Sequence, residues 1–178
     1  MRKIIIEGCP AEIYVAEIAE ASRSGRREKE EEAVGFLVRK VFGAGAARRH
    51  LPDGAPAIEG IRQSISISHS KRFAALAVAP AGSLVGIDIE ANRSQLERVC
   101  GRILSPEEHN CFSAAPQGFL KAWTTKEALY KASRRLFSHE PDYASDLHIL
   151  PSPSAAGHTF RVYSTTLEPE EMITVVIG

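Results

Sequence analysis

The order helix, loop, strands occurs twice along this chain of 178 residues, once before and once after about residue 83. That double pass constrains the fold more than any other feature. In the first pass, residues 26–42 are rich in helix formers, with Val34, Leu37, Val38 and Val41 at helical spacing and Gly43 and Gly45 ending the run. Gly and Pro crowd residues 44–60, which predicts a loop. β-like segments follow at 64–68, where serine alternates with isoleucine, and at 73–78. The turn Pro80-Ala81-Gly82 separates them from a third, 84–90. In the second pass a helix is expected near 95–103. Another starts at Ser105-Pro106-Glu107-Glu108, where serine can cap and proline takes the first helical position. The strongest helix spans about 118–135, and strands are expected at 147–150, 159–163 and 172–177. Near the amino terminus, residues 4–6 are strand-like, 12–18 fit a strand or a helix start, and 22–25 read as a loop. The two halves share no residue-level repeat, so pattern alone leaves an internal duplication open.

Composition narrows the class of function. Lys plus Arg and Asp plus Glu both number 22 and the pI is about 7.0, which argues against a dedicated nucleic-acid binder with its basic excess. Hydrophobic residues at 44% and charged residues at 25% place the chain among globular proteins and not disordered tails. Cys9, Cys100 and Cys111 are too few and too scattered for a disulfide framework, and no CxxC pair is present to hold zinc. All three are expected in the core, in a reducing compartment. The apolar start Ile4-Ile5-Ile6 is cut by Glu7, far short of the roughly 20 apolar residues of a membrane span. The expectation is a soluble, cytoplasmic protein with neither a nucleic-acid nor a membrane partner.

Three segments carry chemistry. In Val85-Gly86-Ile87-Asp88-Ile89-Glu90, strand alternation sends Asp88 and Glu90 to one face and Ile87 and Ile89 to the other. Two carboxylates at roughly 4 Å and an effective dielectric near 20 repel by about 4 kcal/mol. Solvent screens them, one protonates, or a cation sits between them. A solvated edge strand is the plain alternative; Gly86, which permits close approach by a ligand, favours function. On the helix around Trp123-Thr124-Thr125-Lys126-Glu127, the residues Leu129, Ala122, Phe119, Tyr130, Trp123 and Leu120 form one apolar arc. Glu127 and Lys126 fall within that arc, and Lys131 lies just beyond it. An exposed Glu–Lys pair four residues apart would be worth only a few tenths of a kcal/mol, but a carboxylate on a buried stripe needs a partner, either a metal ion or a cationic neighbour. Third, Ser64, Ser66 and Ser68 share one strand face and His69 follows. No GxSxG elbow accompanies these serines, so a nucleophilic serine has no context.

Together these residues offer three carboxylates, one imidazole and one or two lysines. Oxygen-only ligation suits Mg²⁺ or Mn²⁺ better than zinc. A hard cation with lysine nearby is the equipment of phosphoryl chemistry.

In that order, Ser66-Ile67-Ser68-His69-Ser70, Val85-Gly86-Ile87-Asp88-Ile89-Glu90 and Trp123-Thr124-Thr125-Lys126-Glu127-Ala128-Leu129-Tyr130-Lys131 resemble the three signatures of 4′-phosphopantetheinyl transferases of the surfactin-synthetase-activating type. Gly54-Ala55-Pro56 is similar to the family's upstream Gly-Lys-Pro element, with Ala55 where the lysine usually stands. The resemblance implies an α+β fold of two similar α/β halves related by a pseudo-twofold axis, here residues 1–83 on the coenzyme A side and 84–178 carrying most metal ligands. It implies transfer of the phosphopantetheine arm of coenzyme A to a serine of an acyl or peptidyl carrier protein, releasing adenosine 3′,5′-bisphosphate, by a monomeric enzyme. Asp88, Glu90 and Glu127 would hold Mg²⁺ or Mn²⁺. Glu127, Lys131 and His69 would be catalytic, and Ser68, His69, Lys126, Lys131, Arg26 and Arg27 would contact coenzyme A. Two other readings stand beside it: a Mg²⁺-dependent phosphodiester or pyrophosphate hydrolase, and a non-catalytic module binding a carrier protein or nucleotide. The segment Ser133-Arg134-Arg135-Leu136-Phe137 departs from the Gly-rich continuation common in the family.

Overall fold

A computed structural model describes residues 1–20, 25–168 and 170–178. The chain runs β1 (Arg2–Ile4), β2 (Glu12–Glu17), α1 (Arg26–Phe42), β3 (Arg48–His50), β4 (Pro56–Ile58), β5 (Gln63–His69), β6 (Phe73–Ala81) and β7 (Val85–Ala91). It continues through α2 (Leu96–Ile103), α3 (Pro106–Ser113), α4 (Gly118–Ser133), a 3₁₀ turn (Arg134–Leu136), β8 (Leu147–His148), β9 (Ser154–Ala155), β10 (His158–Thr159), β11 (Arg161–Glu168) and β12 (Glu171–Ile177). Among the described residues no helix is long and apolar enough to cross a membrane.

Local chemistry accounts for the helix ends. Gly43, at φ 102°, stops α1 in a conformation that side chains disfavour, and its N–H donates to the Arg39 carbonyl. At the start of α3 the Ser105 hydroxyl accepts from the Glu108 N–H and the Glu108 carboxylate accepts from the Ser105 N–H, a reciprocal cap. The stretch 44–60 is not the plain loop expected of it. It folds back as the β3–β4 hairpin, pairing Arg48 with Ile58 and His50 with Pro56, because Ile58 finds burial among the residues under α1. The loop expected at 22–25 lies, but for Gly25, outside the described residues.

Two antiparallel sheets form the centre, ordered β1-β2-β6-β5 and β11-β12-β7. Within them, β2-α1-β5-β6 and β7-α4-β11-β12 are both strand, helix, strand, strand. In both sheets the last strand lies between the other two. The mixed architecture agrees with the expected α+β class. Alternating residues of β2, β6, β7 and β12 meet in one core between the sheets, where Ile87, Ile89, Ile173 and Val175 pack against Ala75 and Ala77. The small alanines on β6 let the isoleucines opposite fill the gap, each buried isoleucine contributing about 1.5–3 kcal/mol. On the outer faces, α1 packs on Ala74, Leu76 and Ile65, while α4 covers Val176 and β7.

The closest approach is at Gly86. A Cβ there would lie 1.8 Å from the Ala128 carbonyl oxygen, so the backbone of α4 sits directly on β7. The glycine admits a helix, not the ligand expected from sequence. Cys100 is buried and Cys9 half-buried, but Cys111 is exposed on α3, contrary to the expectation of three core cysteines. Because backbone must move to admit even a methyl group, Gly86→Ala is expected to destabilise by about 3 kcal/mol, the upper end for overpacking, read as a lowered urea midpoint at unchanged slope.

Candidate active site

The face of β7 that carries Gly86 also carries Asp88 and Glu90, so the packing of α4 brings its own polar residues against these two acids. Asp88 is 6% exposed, which disposes of a solvated edge strand. The Lys131 ammonium, on the last turn of α4, donates to Asp88 Oδ1 at 2.9 Å, to the Ile87 carbonyl at 3.0 Å and to Ser68 Oγ at 2.9 Å. Ser68 Oγ in turn donates to Asp88 Oδ1 at 2.8 Å. Two residues back on the same face of β5, Ser66 Oγ accepts from the Ile87 N–H at 3.1 Å. The serine face of β5 therefore stitches the edge of one sheet to the edge of the other.

Glu127 lies one turn before Lys131. A pocket of about 340 Å³ is lined by Ser68, His69, Asp88, Glu90, Glu127 and Lys131, among others. The structure thus brings together all three carboxylates, the histidine and one of the two lysines singled out from sequence. Burial pushes the Glu127 carboxyl above its ordinary range, and the charges of Asp88 and Glu90 add to the shift; Lys131 and the Tyr143 hydroxyl oppose it. Tyr143 donates to Glu127 Oε1 at 2.9 Å, and its own pKa is raised by burial and by Glu127. Glu90 pairs with Arg93 at 3.0 Å. In chemical type, three mutually repelling carboxylates suit a hard divalent cation. As placed, each is turned toward a protein partner, and among the described residues no group of three or more His, Cys, Asp or Glu side chains stands in an arrangement that could hold a metal ion.

Lys126 is a correction. Its side chain is fully buried, and its ammonium is taken by Glu108 Oε2 at 2.9 Å, the Tyr143 carbonyl at 2.8 Å and the Leu147 carbonyl. An ammonium has three N–H donors, so nothing remains for coenzyme A. Glu108 is equally committed: beyond the lysine and its capping bond, its Oε1 accepts from the Ile149 N–H at 2.7 Å. This pair fastens α3, α4 and the segment 143–149 that contains β8.

A second, larger cavity of about 530 Å³ adjoins the first and shares Ile67, His69 and Lys131 with it. Arg27 lines it, as do Gly54, Ala55 and Pro56. Arg26 does not; it pairs with Glu30 at 2.7 Å, donates to the Ser70 carbonyl at 3.3 Å, and faces a separate depression with Lys29 and Arg72. The His69 Nδ1 lies 3.7 Å from Glu30. Sequence reasoning missed Tyr143, Arg48 and Arg134 as site residues and placed Tyr130 only on the apolar arc and in the third signature. Arg48, Tyr130 and Arg134 line the larger cavity, and neither arginine nor Tyr143 stands in a pattern that marks it in one dimension.

Removing one partner of a satisfied buried pair leaves the other charge stranded, so Lys126→Ala is expected to cost about 3–5 kcal/mol, measured by urea unfolding. For Glu127 the folded pKa lies above the unfolded one. Between the two values the native state binds more protons, and stability falls as pH rises through that window. Glu127→Gln keeps an acceptor for Tyr143 and removes the charge. The metal-free variant should therefore be more stable than the parent above the raised pKa. The difference should close once pH drops below the ordinary carboxylate value, as thermal unfolding across pH 4 to 8 would show.

A family model described as the 4′-phosphopantetheinyl transferase superfamily matches residues 84–171, just under half of the chain. A search of curated proteins found no match. Asp88, Glu90, Glu127 and Lys131 all fall inside the matched segment, so the similarity to that superfamily covers these four residues.

Proposed function

We propose that the protein transfers the phosphopantetheine arm of coenzyme A to a serine of an acyl or peptidyl carrier protein, as a cytoplasmic monomer of the surfactin-synthetase-activating type. The observation that carries this reading is the convergence of Asp88, Glu90, Glu127 and Lys131 on one pocket that opens into a larger cationic cavity. The two strand-helix-strand-strand units, residues 1–83 and 84–178, are its two halves, related by a pseudo-twofold axis, and the ligand lies along the seam between them.

Asp88, Glu90 and Glu127 would hold Mg²⁺ or Mn²⁺, with Glu90 and Glu127 turning from Arg93 and Tyr143; when bound, the ion supplies neutralising charge to the diphosphate. Everything else falls to the chain. The carrier serine oxygen forms a bond to the phosphorus that bears the pantetheine, and the bond from that phosphorus to the bridging oxygen breaks. Adenosine 3′,5′-bisphosphate leaves with the bridging oxygen. Glu127 faces the pocket beside Lys131 and would accept the hydroxyl proton. Lys131 stands where the two cavities meet; its three donors are held by Ser68, Ile87 and Asp88, so it offsets charge building on the leaving phosphate by its field and not by a direct hydrogen bond. His69 and Ser68 border the same place and orient the diphosphate, and Arg27 faces the adenosine 3′-phosphate.

Intact-mass spectrometry of an apo carrier protein incubated with this protein, coenzyme A and Mg²⁺ is expected to show addition of the arm. The addition should stop in excess chelator and in Asp88→Ala or Glu127→Ala variants that keep their circular dichroism. Wild-type-like turnover by either variant, or full activity in chelator, would remove the carboxylate site from the reaction. Breakdown of coenzyme A without any carrier protein would point to hydrolysis instead.

A further inference from the structure

Ser66, Ser68 and Ser70 alternate along β5 and just past its end, and each bonds across the seam to the other sheet. Ser66 Oγ accepts from the Ile87 N–H, Ser68 Oγ donates to Asp88 Oδ1, and Ser70 Oγ donates to Glu171 Oε2 at 2.9 Å. Asp88 also has the Lys131 ammonium. Glu171 has no such cation.

Strand alternation puts Glu171 on the face of β12 that sends Ile173, Val175 and Ile177 into the core between the sheets. It is 1% exposed. Among the described residues its Oε1 is the single buried side-chain polar atom with no hydrogen-bond partner. Arg72, whose charge favours the ionised carboxyl, lies over the Phe73 ring, 5.1 Å from the centroid, and forms no ion pair with Glu171. Glu90 on β7 and Glu168 on β11 repel it, although each has its own partner, Arg93 at 3.0 Å and Arg2 at 3.6 Å. Burial and these two acids push the Glu171 carboxyl above its ordinary range, against the pull of Ser70 and Arg72. A neutral carboxyl leaves one polar group unpaired at this place. A carboxylate leaves an unpaired charge, which is far more costly to bury. Water relieves that cost only if the end of β5 and the start of β12 part.

We propose that Ser70 and Glu171 form a proton-dependent latch between the two sheets, closed while the Glu171 carboxyl is neutral and loosened once it is charged. Ser70 Oγ also accepts from the Arg72 and Phe73 N–H groups, at 3.1 Å each, so a change at Glu171 passes to the turn between β5 and β6. The latch thereby holds the strand end from which His69 borders both cavities.

Urea unfolding of the parent protein and of Glu171→Gln between pH 4 and pH 8 tests this. The folded carboxyl titrates above the unfolded one, so between the two values the native parent holds more protons than the unfolded chain. Its contribution is complete below the ordinary carboxylate value and is lost as pH rises through that window. The ratio of unfolding constants, parent over variant, should climb there by up to about tenfold per pH unit; the share from Glu127 is common to both and cancels. At the upper end of the window the Arg72 and Phe73 amides should exchange hydrogen faster in the parent than in Glu171→Gln, by more than amides inside α1 do. A ratio that does not change with pH, or Arg72 and Phe73 amides no more affected than those of α1, overturns the latch. Should Glu171→Gln fail to fold, Ser70→Ala decides. Without the hydroxyl the carboxyl is harder to ionise, so the loss of stability should run to higher pH than in the parent, and an unchanged profile overturns the proposal. The transferase reading uses neither residue and stands either way.

Discussion

The Lys131 ammonium ties the molecule together. From α4 it reaches the side chain of Ser68 on β5 and both the backbone and side chain of β7. Those two strands are edges of different sheets, and an edge presents unpaired backbone groups. At Ile87 the outward N–H goes to Ser66 Oγ and the outward carbonyl to Lys131. Each group left unpaired there would cost about 1–3 kcal/mol. The seam between the sheets is therefore closed by side chains in place of a backbone ladder, and the residues that close it also line the two adjoining cavities.

Five residues along the same helix, Lys126 does the opposite work. At about 100° per residue the two lysines point some 140° apart, one into the core and one into the seam. Lys126 finds Glu108 and two carbonyls, and its burial lowers its pKa against the pull of the glutamate. Its charge fixes how α3 and α4 sit, which sets where Glu127 and Lys131 emerge. The division holds because every donor on Lys126 has an acceptor; a half-satisfied version would destabilise the helix pair.

Much of this was legible in one dimension, for identifiable reasons. Alternation on β5 and β7 reports directly which side chains share a face, so the split of Ile87 and Ile89 from Asp88 and Glu90 followed. The cap at Ser105 is local, and so was readable. Gly86 was visible as a close approach, but what approaches it, Ala128, is 42 positions away and comes with the docking of α4. Lys126 misled for a similar reason. A lysine on an apolar arc can face a ligand or a buried acid, and Glu108 is recognisable only as a cap until Ile149 and Leu147 are seen beside it. Tyr143 and Arg134 lie outside any periodic pattern, and only the folded chain sets them against Glu127 and Gly54.

The charges of the two cavities are ordered in space. Asp88, Glu90 and Glu127 gather at one end; at the other, Glu30 and Glu31 are already ion-paired, Arg27 and Arg134 have no carboxylate partner among the described residues, and Lys131 with His69 stands between. On the proposed reading this order orients the ligand. A phosphate monoester placed at the carboxylate end would meet like charge, at about 4 kcal/mol per pair at roughly 4 Å and an effective dielectric near 20. A diphosphate there is tolerated only with a divalent cation to neutralise it, whereas the monoester has its counter-charges built into the protein. Metal dependence and ligand orientation would then have one origin. The carboxylates that the cation offsets are the same groups that turn a reversed ligand away.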